Sequence, residues 1–157
     1  AGHRDPPQPR RECCVRQALR CALPGRSPQA APDPDEGGYV LILGANHRRA
    51  HGLRLAWNLL STRYEVRAAT RALPTRDIAG SGPRYLNAAV RIAAASAPAP
   101  EALHTQLHAI EQAAGRRRGS GLCALDLDLF ARTRGLRLVE VYKPADLERD
   151  YVRALLQ

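Results

Sequence analysis

The chain has 157 residues, the size of a single domain and enough to bury a core without disulfide or metal staples. Its formal net charge is +9, but Lys143 is the only lysine among 24 basic residues, no basic run is interleaved with aromatics, and only seven aromatic residues exist, so the charge suits an anionic small substrate and is not read as a nucleic-acid surface. No run of about 18 apolar residues marks a transmembrane helix, no apolar stretch near the N-terminus precedes a small-residue cleavage site, and Cys13, Cys14, Cys21 and Cys123 do not form a disulfide framework, so a reducing cytoplasm is the expected compartment.

Residues 1–37 hold most of the twelve prolines and no hydrophobic period; DPPQPRR and APDPDEGG predict a flexible polar tail. The Cys-Cys-x6-Cys spacing within it lacks a fourth ligand at a zinc spacing and is not read as a metal centre. A single domain is expected over 38–157. YVLIL, from Tyr39, is an apolar run ending at Gly44 and predicts a buried strand. The turn GAN leads into a helix from about His51 to Leu60, with Leu53, Trp57 and Leu60 at helical spacing. YEVRAAT is a weaker strand. Residues 73–83, with two Pro and two Gly, read as a loop. YLNAAVRIA alternates as a strand. APAPE then opens a helix with Pro100 inside its first turn; Leu103, Leu107 and Ile110 share its face, and it stops near Gly115. RRRGSG is a loop, ALDLDLF and LRLVEV are strands, and DLERDYVRALL is a closing helix. Strands interleaved with helices predict an α+β or α/β sheet with helices packed on it, in a strand order that periodicity leaves open.

Asp126 and Asp128 alternate with Leu125, Leu127 and Leu129. At i and i+2 of a strand they point the same way, roughly 6.5 to 7 Å apart. Magnesium favours such carboxylate oxygens and takes further ligands from water and substrate phosphates. On pattern alone, an acidic solvated face of a half-buried strand fits better. Directly upstream, however, Arg116, Arg117 and Arg118 offer guanidinium forks for phosphate. A carboxylate pair beside an Arg cluster is what phosphoryl transfer from a nucleotide requires: the acids hold the metal, and metal and Arg neutralise phosphate oxygens. Asn87, at the start of a strand, presents one acceptor and two donors that can read a heterocycle edge. His47 with His51, and His104 with His108, have i,i+4 chelating spacing, but no zincin Glu and no third ligand accompany them. There is no P-loop, nucleophile elbow or G-x-G-x-x-G.

Four segments in order, YVLILGAN, RYLNAAVRI, IEQAAGRRRGSGLCALDLDLF and VYKPADLERDYVRALL, resemble the 6-hydroxymethyl-7,8-dihydropterin pyrophosphokinases of folate biosynthesis, over about residues 39–157. YLNAAV and LDLDLF in combination carry the resemblance. It implies an α+β fold, ferredoxin-like at its centre, with helices on both faces of an antiparallel sheet in three α/β/α layers. It also implies transfer of the β,γ-diphosphate of ATP to the hydroxymethyl group of the pterin, with AMP released. A monomer is expected, and the charge pattern and the absence of a long apolar run predict no nucleic-acid or membrane partner. Two magnesium ions would be held by Asp126 and Asp128. The pterin would meet Asn87, Tyr85, Pro74, Arg149 and Tyr151. ATP would meet Glu111, His108, Arg116, Arg118 and Lys143, with Arg116, Arg118 and Lys143 offsetting charge during transfer.

This chain also departs from that pattern. Cys123 stands where relatives carry a catalytic-loop Arg, Ala124 replaces a Thr, and the loop before the Asp pair is shorter. Lys143 replaces the His of a Pro-His segment, His108 replaces a Gln, Tyr151 replaces a Phe, and RALPTRD matches an Arg-Thr-Pro-Pro loop loosely. Relatives also continue past the last helix. Losing one preorganised cation from such a site costs about 10³ to 10⁵ in rate. The changes therefore predict a slow enzyme or, alternatively, a degenerate relative that binds nucleotide, pterin or a protein partner without turnover.

Overall fold

A computed structural model describes residues 35–76, 80, 82–116, 119 and 121–157. The expected tail falls almost wholly outside these residues, as do Arg117 and Arg118. The elements, in chain order, are β1 (Gly37–Ala45), α1 (Arg49–Arg63), β2 (Val66–Ala69), β3 (Leu73–Thr75), β4 (Tyr85–Ala93), α2 (Pro100–Ala113), β5 (Asp126–Arg134), β6 (Arg137–Val141) and α3 (Asp150–Leu156). Short 3₁₀ turns occupy Ala94–Ser96 and Pro144–Glu148. The strands lie in the order β2-β4-β1-β5-β6, with β3 on the other end of β4, and every pairing is antiparallel. β1, α1, β2, β4, α2 and β5 make the split βαβ arrangement of the ferredoxin-like fold.

β1 is covered on both faces. Tyr39, Leu41 and Leu43 meet Ala88, Val90, Ile92, Leu127 and Leu129 under α1 and α2. On the opposite face, Val40 and Ile42 meet Ala89, Phe130 and Ala131 under Val152 and Leu155 of α3. The three layers follow from period two in the strands and an apolar stripe on each helix. The stripe of α1 is Leu53, Ala56, Trp57 and Leu60, all buried, and that of α2 is Leu103, Leu107 and Ile110. A fully buried Leu contributes about 1.5 to 3 kcal/mol. α1 lies hard against the segment entering β5: a Cβ on Gly52 would sit 2.2 Å from the Ala124 carbonyl oxygen. Among the described residues, no helix is long and apolar enough to cross a membrane.

Two expectations are corrected. Leu73–Thr75, read as loop, is a short edge strand with Leu73 opposite Asn87 and Thr75 opposite Tyr85. Three residues are too few to show a period, and an edge strand tolerates Pro74 because its missing N–H breaks no ladder. The closing helix divides: Pro144–Glu148 is a 3₁₀ turn, Arg149 is extended, and the α-helix starts at Asp150.

Candidate active site

The face shared by Asp126 and Asp128 is the α3 face of the sheet. β1 lies between β4 and β5, so Gly44 is opposite Asn87 on one side and Asp126 on the other, and Ile42 is opposite Asp128. A Cβ on Gly44 would lie 2.8 Å from Asn87 Oδ1 and 4.0 Å from Asp126 Cβ. Glycine therefore leaves open the floor between an amide and a carboxylate. Over it is a cavity of about 390 Å³, lined by Ile42, Gly44, Thr75, Arg76, Tyr85, Asn87, Asp126, Asp128, Arg149 and Tyr151. Asn87 is buried, and its Nδ2 donates to Thr75 Oγ1 at 2.6 Å, so β3 fixes its amide. Arg149 is held by Asp146 at 2.9 Å and donates to the Tyr151 hydroxyl at 3.3 Å. Pro74 lines an adjoining cavity of about 610 Å³ with Leu73, Asp150 and Ala154, and the two cavities share Thr75, Arg76, Arg149 and Tyr151.

A chain of charges runs along the β5 side. Glu111 is 2% exposed and stands within the core instead of on the cavity wall. Its Oε1 accepts from the Leu127 N–H at 2.6 Å and meets Arg116 Nη1 at 2.6 Å, while Oε2 meets His108 Nδ1 at 2.8 Å. Arg116 also bonds Asp126, and Lys143 bonds Asp128. Burial pushes the Asp126 carboxyl above the usual carboxylate range; Arg116 opposes this and the charge of Glu111 adds to it. Burial works against the charge on Arg116, but Asp126 and Glu111 outweigh it and its pKa rises. Cys123 is partly buried, and desolvation together with Asp126 raises its thiol to about 11, so it is neutral at physiological pH.

The structure thus brings Asp126, Asp128, Asn87, Tyr85, Arg149 and Tyr151 to one cavity, with Arg116 and Lys143 on its acids. Arg118 lies outside the described residues. The rings of His104 and His108 meet edge to face at 4.4 Å, and Nδ1 of His108 is taken by Glu111. Residue types and spacing did not single out Gly44, Thr75, Arg76 or Asn46. Asn46 accepts from the Cys123 N–H at 2.6 Å and donates to the Gly121 carbonyl at 3.1 Å, while the N–H groups of Asn46 and His47 both donate to the Cys123 carbonyl. It fastens the loop before β5 to the end of β1. The sequence signal was an Asn directly after a strand, which is also what an ordinary turn shows.

Among the described residues, no three His, Cys, Asp or Glu gather as a metal cage. Asp126 and Asp128 supply two carboxylates on one cavity wall. That set fits magnesium, which binds through one or two carboxylates and completes an octahedron with water and phosphate oxygens. It does not fit a structural zinc, which takes four protein ligands.

Among curated proteins, none matches the chain at a significant level. The family model described as 7,8-dihydro-6-hydroxymethylpterin-pyrophosphokinase (HPPK) matches residues 40–157. The match takes in nearly all of the sheet, the three helices and every residue lining the cavity between Asn87 and the Asp pair. By extent and by fold, the chain belongs to the 7,8-dihydro-6-hydroxymethylpterin-pyrophosphokinase family.

Proposed function

We propose that the protein is a 2-amino-4-hydroxy-6-hydroxymethyldihydropteridine diphosphokinase, transferring the β,γ-diphosphate of ATP to the pterin in folate biosynthesis. The observation that supports this is the convergence of Asn87 and the Asp126–Asp128 pair on either side of Gly44 in one cavity. Asn87, fixed by Thr75, offers its amide to the edge of the pterin ring. Tyr85 and Tyr151 supply aromatic walls, and Arg149 steadies Tyr151. Asp126 and Asp128 are the residues that would hold two magnesium ions, which when bound polarise and align the phosphates. Arg116, Arg118 and Lys143 draw phosphate oxygens and offset their charge. Glu111 orients Arg116 and His108 from within the core, so it acts on the nucleotide side through them. The pterin hydroxyl attacks the β-phosphorus in line and its proton passes to water as the new O–P bond forms, while the bond from the β-phosphorus to the α,β-bridging oxygen breaks and that oxygen leaves on AMP. The test is AMP formation from ATP and 6-hydroxymethyl-7,8-dihydropterin with magnesium. Asp126→Ala combined with Asp128→Ala is expected to abolish it, and unchanged turnover would refute the assignment.

Cys123 favours a second reading. A neutral thiol where relatives carry a catalytic-loop Arg contributes no charge to the transfer. A protein that binds ATP or pterin without turnover would give calorimetric binding but no AMP; turnover at a rate ordinary for a kinase, about 1 to 100 per second, would end this reading.

A further inference from the structure

Both carboxylates of the Asp pair are engaged by cations of the chain itself, and the two cations are held differently. Arg116 Nη1 bonds Asp126 and also, at 2.6 Å, the Oε1 of Glu111. Glu111 is tied in turn to the Leu127 amide and to His108. Arg116 therefore keeps a buried anchor whether or not it holds Asp126. Lys143 is paired with Asp128, its side chain is 40% exposed, and it lies in irregular backbone just before the Pro144–Glu148 turn. An ammonium on a flexible stem with one carboxylate partner changes partners more readily than a guanidinium nitrogen held between two carboxylates. A divalent ion approaching Asp128 meets the positive charge of Lys143 on the same carboxylate, and a polyphosphate approaching the same wall offers the ammonium another anion.

We propose that Lys143 is a built-in counter-ion: it keeps bare divalent metal off Asp128 and leaves that carboxylate when nucleotide phosphates draw it away, so metal and nucleotide enter the site together. This rests on reading the Asp pair as the metal site. It gives Lys143 a part in the coupling of binding that is separate from any charge it lends to transfer. The coupling is reciprocal, since whatever the nucleotide adds to metal affinity the metal adds to nucleotide affinity. Arg116 does not share this part, because Glu111 retains it.

The experiment is Mn²⁺ binding to the full chain, followed by loss of the free-ion electron paramagnetic resonance signal, with and without a non-cleavable α,β-methylene analogue of ATP. Lys143→Met is expected to bind Mn²⁺ alone about tenfold more tightly than the parent, from removal of one positive charge near a dication in a partly solvated setting. The factor by which the analogue tightens Mn²⁺ should shrink to a similar extent. Lys143→Arg, which keeps the charge, should retain the weak binding of bare metal. If Asp128→Asn loses Mn²⁺ while Lys143→Met binds it no better than the parent, the counter-ion role is overturned and the metal site stands. If Asp128→Asn binds Mn²⁺ as the parent does, the metal site itself is wrong and the counter-ion role falls with it.

Discussion

Glu111→Ala tests the interior of the site most directly. The substitution removes the acceptor of the Leu127 N–H, a hydrogen bond of 2.6 Å in a buried setting. A buried donor left without a partner costs about 1 to 3 kcal/mol. Arg116 is 30% exposed and keeps Asp126, so the lost pair with Glu111 adds no more than about 1 kcal/mol. The truncated side chain leaves a void worth about 1 kcal/mol more. The total is about 2 to 5 kcal/mol, which lowers the melting temperature by on the order of 10 °C in a domain of this size. Glu111→Gln keeps the shape and the acceptor for Leu127 and loses only the charge, so it should cost about 1 kcal/mol. Urea unfolding can be followed by the fluorescence of Trp57, the only Trp, which is buried in the same cluster as Ile110. If Glu111→Ala lies within about 1 kcal/mol of the parent, or if Gln costs as much as Ala, the carboxylate does not hold the Leu127 amide.

Gly52→Ala should destabilise by about 2 to 3 kcal/mol, because the new Cβ would sit 2.2 Å from a backbone oxygen that no side-chain rotation can relieve; an unshifted calorimetric transition would refute this. Asp126→Asn is expected to be more stable than the parent at neutral pH. Its carboxyl is raised in the fold, chiefly by burial, so ionisation there costs stability at pH above the folded pKa, and that cost fades as pH falls toward the unfolded value. The gain in urea midpoint should shrink toward about pH 4, and a variant less stable than the parent at neutral pH would contradict it. In a chain with Cys13, Cys14 and Cys21 changed to Ser, iodoacetamide should alkylate Cys123 slowly at neutral pH. The rate should rise about tenfold per pH unit as the thiolate appears on approach to about 11, and a rate already level at neutral pH would refute the raised thiol.

The elements legible in the sequence were those with a long period or a long apolar run. YVLIL, YLNAAVRIA and the Leu103–Leu107–Ile110 stripe became β1, β4 and α2 because burial on these faces outweighs weak local preferences. Asp126 and Asp128 were legible as a pair sharing a face. Alternation could not say that the face borders a cavity, because that depends on a third layer supplied more than twenty residues later by α3. Glu111 shows the opposite case. It follows Leu103 and Leu107 at helical spacing on the apolar stripe of α2, a burial that the helical pattern could have shown but that was not read from it. The resemblance assigned it to the nucleotide, and the structure puts its oxygens on Leu127, Arg116 and His108. Asn46 was not legible, since its side-chain partners lie 75 and 77 residues away.

What brings the site together is the register of β1 against two strands at once. Asn87 and Asp126 come from different segments and meet only across Gly44, and a slip of one residue would turn either to the other face. The β1–β5 ladder carries an irregularity between Val40 and Leu41, so the half bearing Asp126 and Asp128 is not locked simply by continuing the half beyond it. The far half has a lock of its own. Arg91 of β4, 7% exposed, donates from Nε to Thr133 Oγ1 of β5 at 3.2 Å, reaching across β1 where Gly38 leaves room; a Cβ there would lie 2.9 Å from that hydroxyl and 3.0 Å from Nε. Arg91 also reaches the Glu36 carbonyl, and Glu36 pairs with Arg67. β1 thus has a glycine near each end, and at each a polar group of β4 approaches one of β5 over the missing side chain. At Gly38 the pair is hydrogen-bonded and fixes the register. At Gly44 the pair is an amide and a carboxylate held by other partners, which leaves the gap between them open to a ligand.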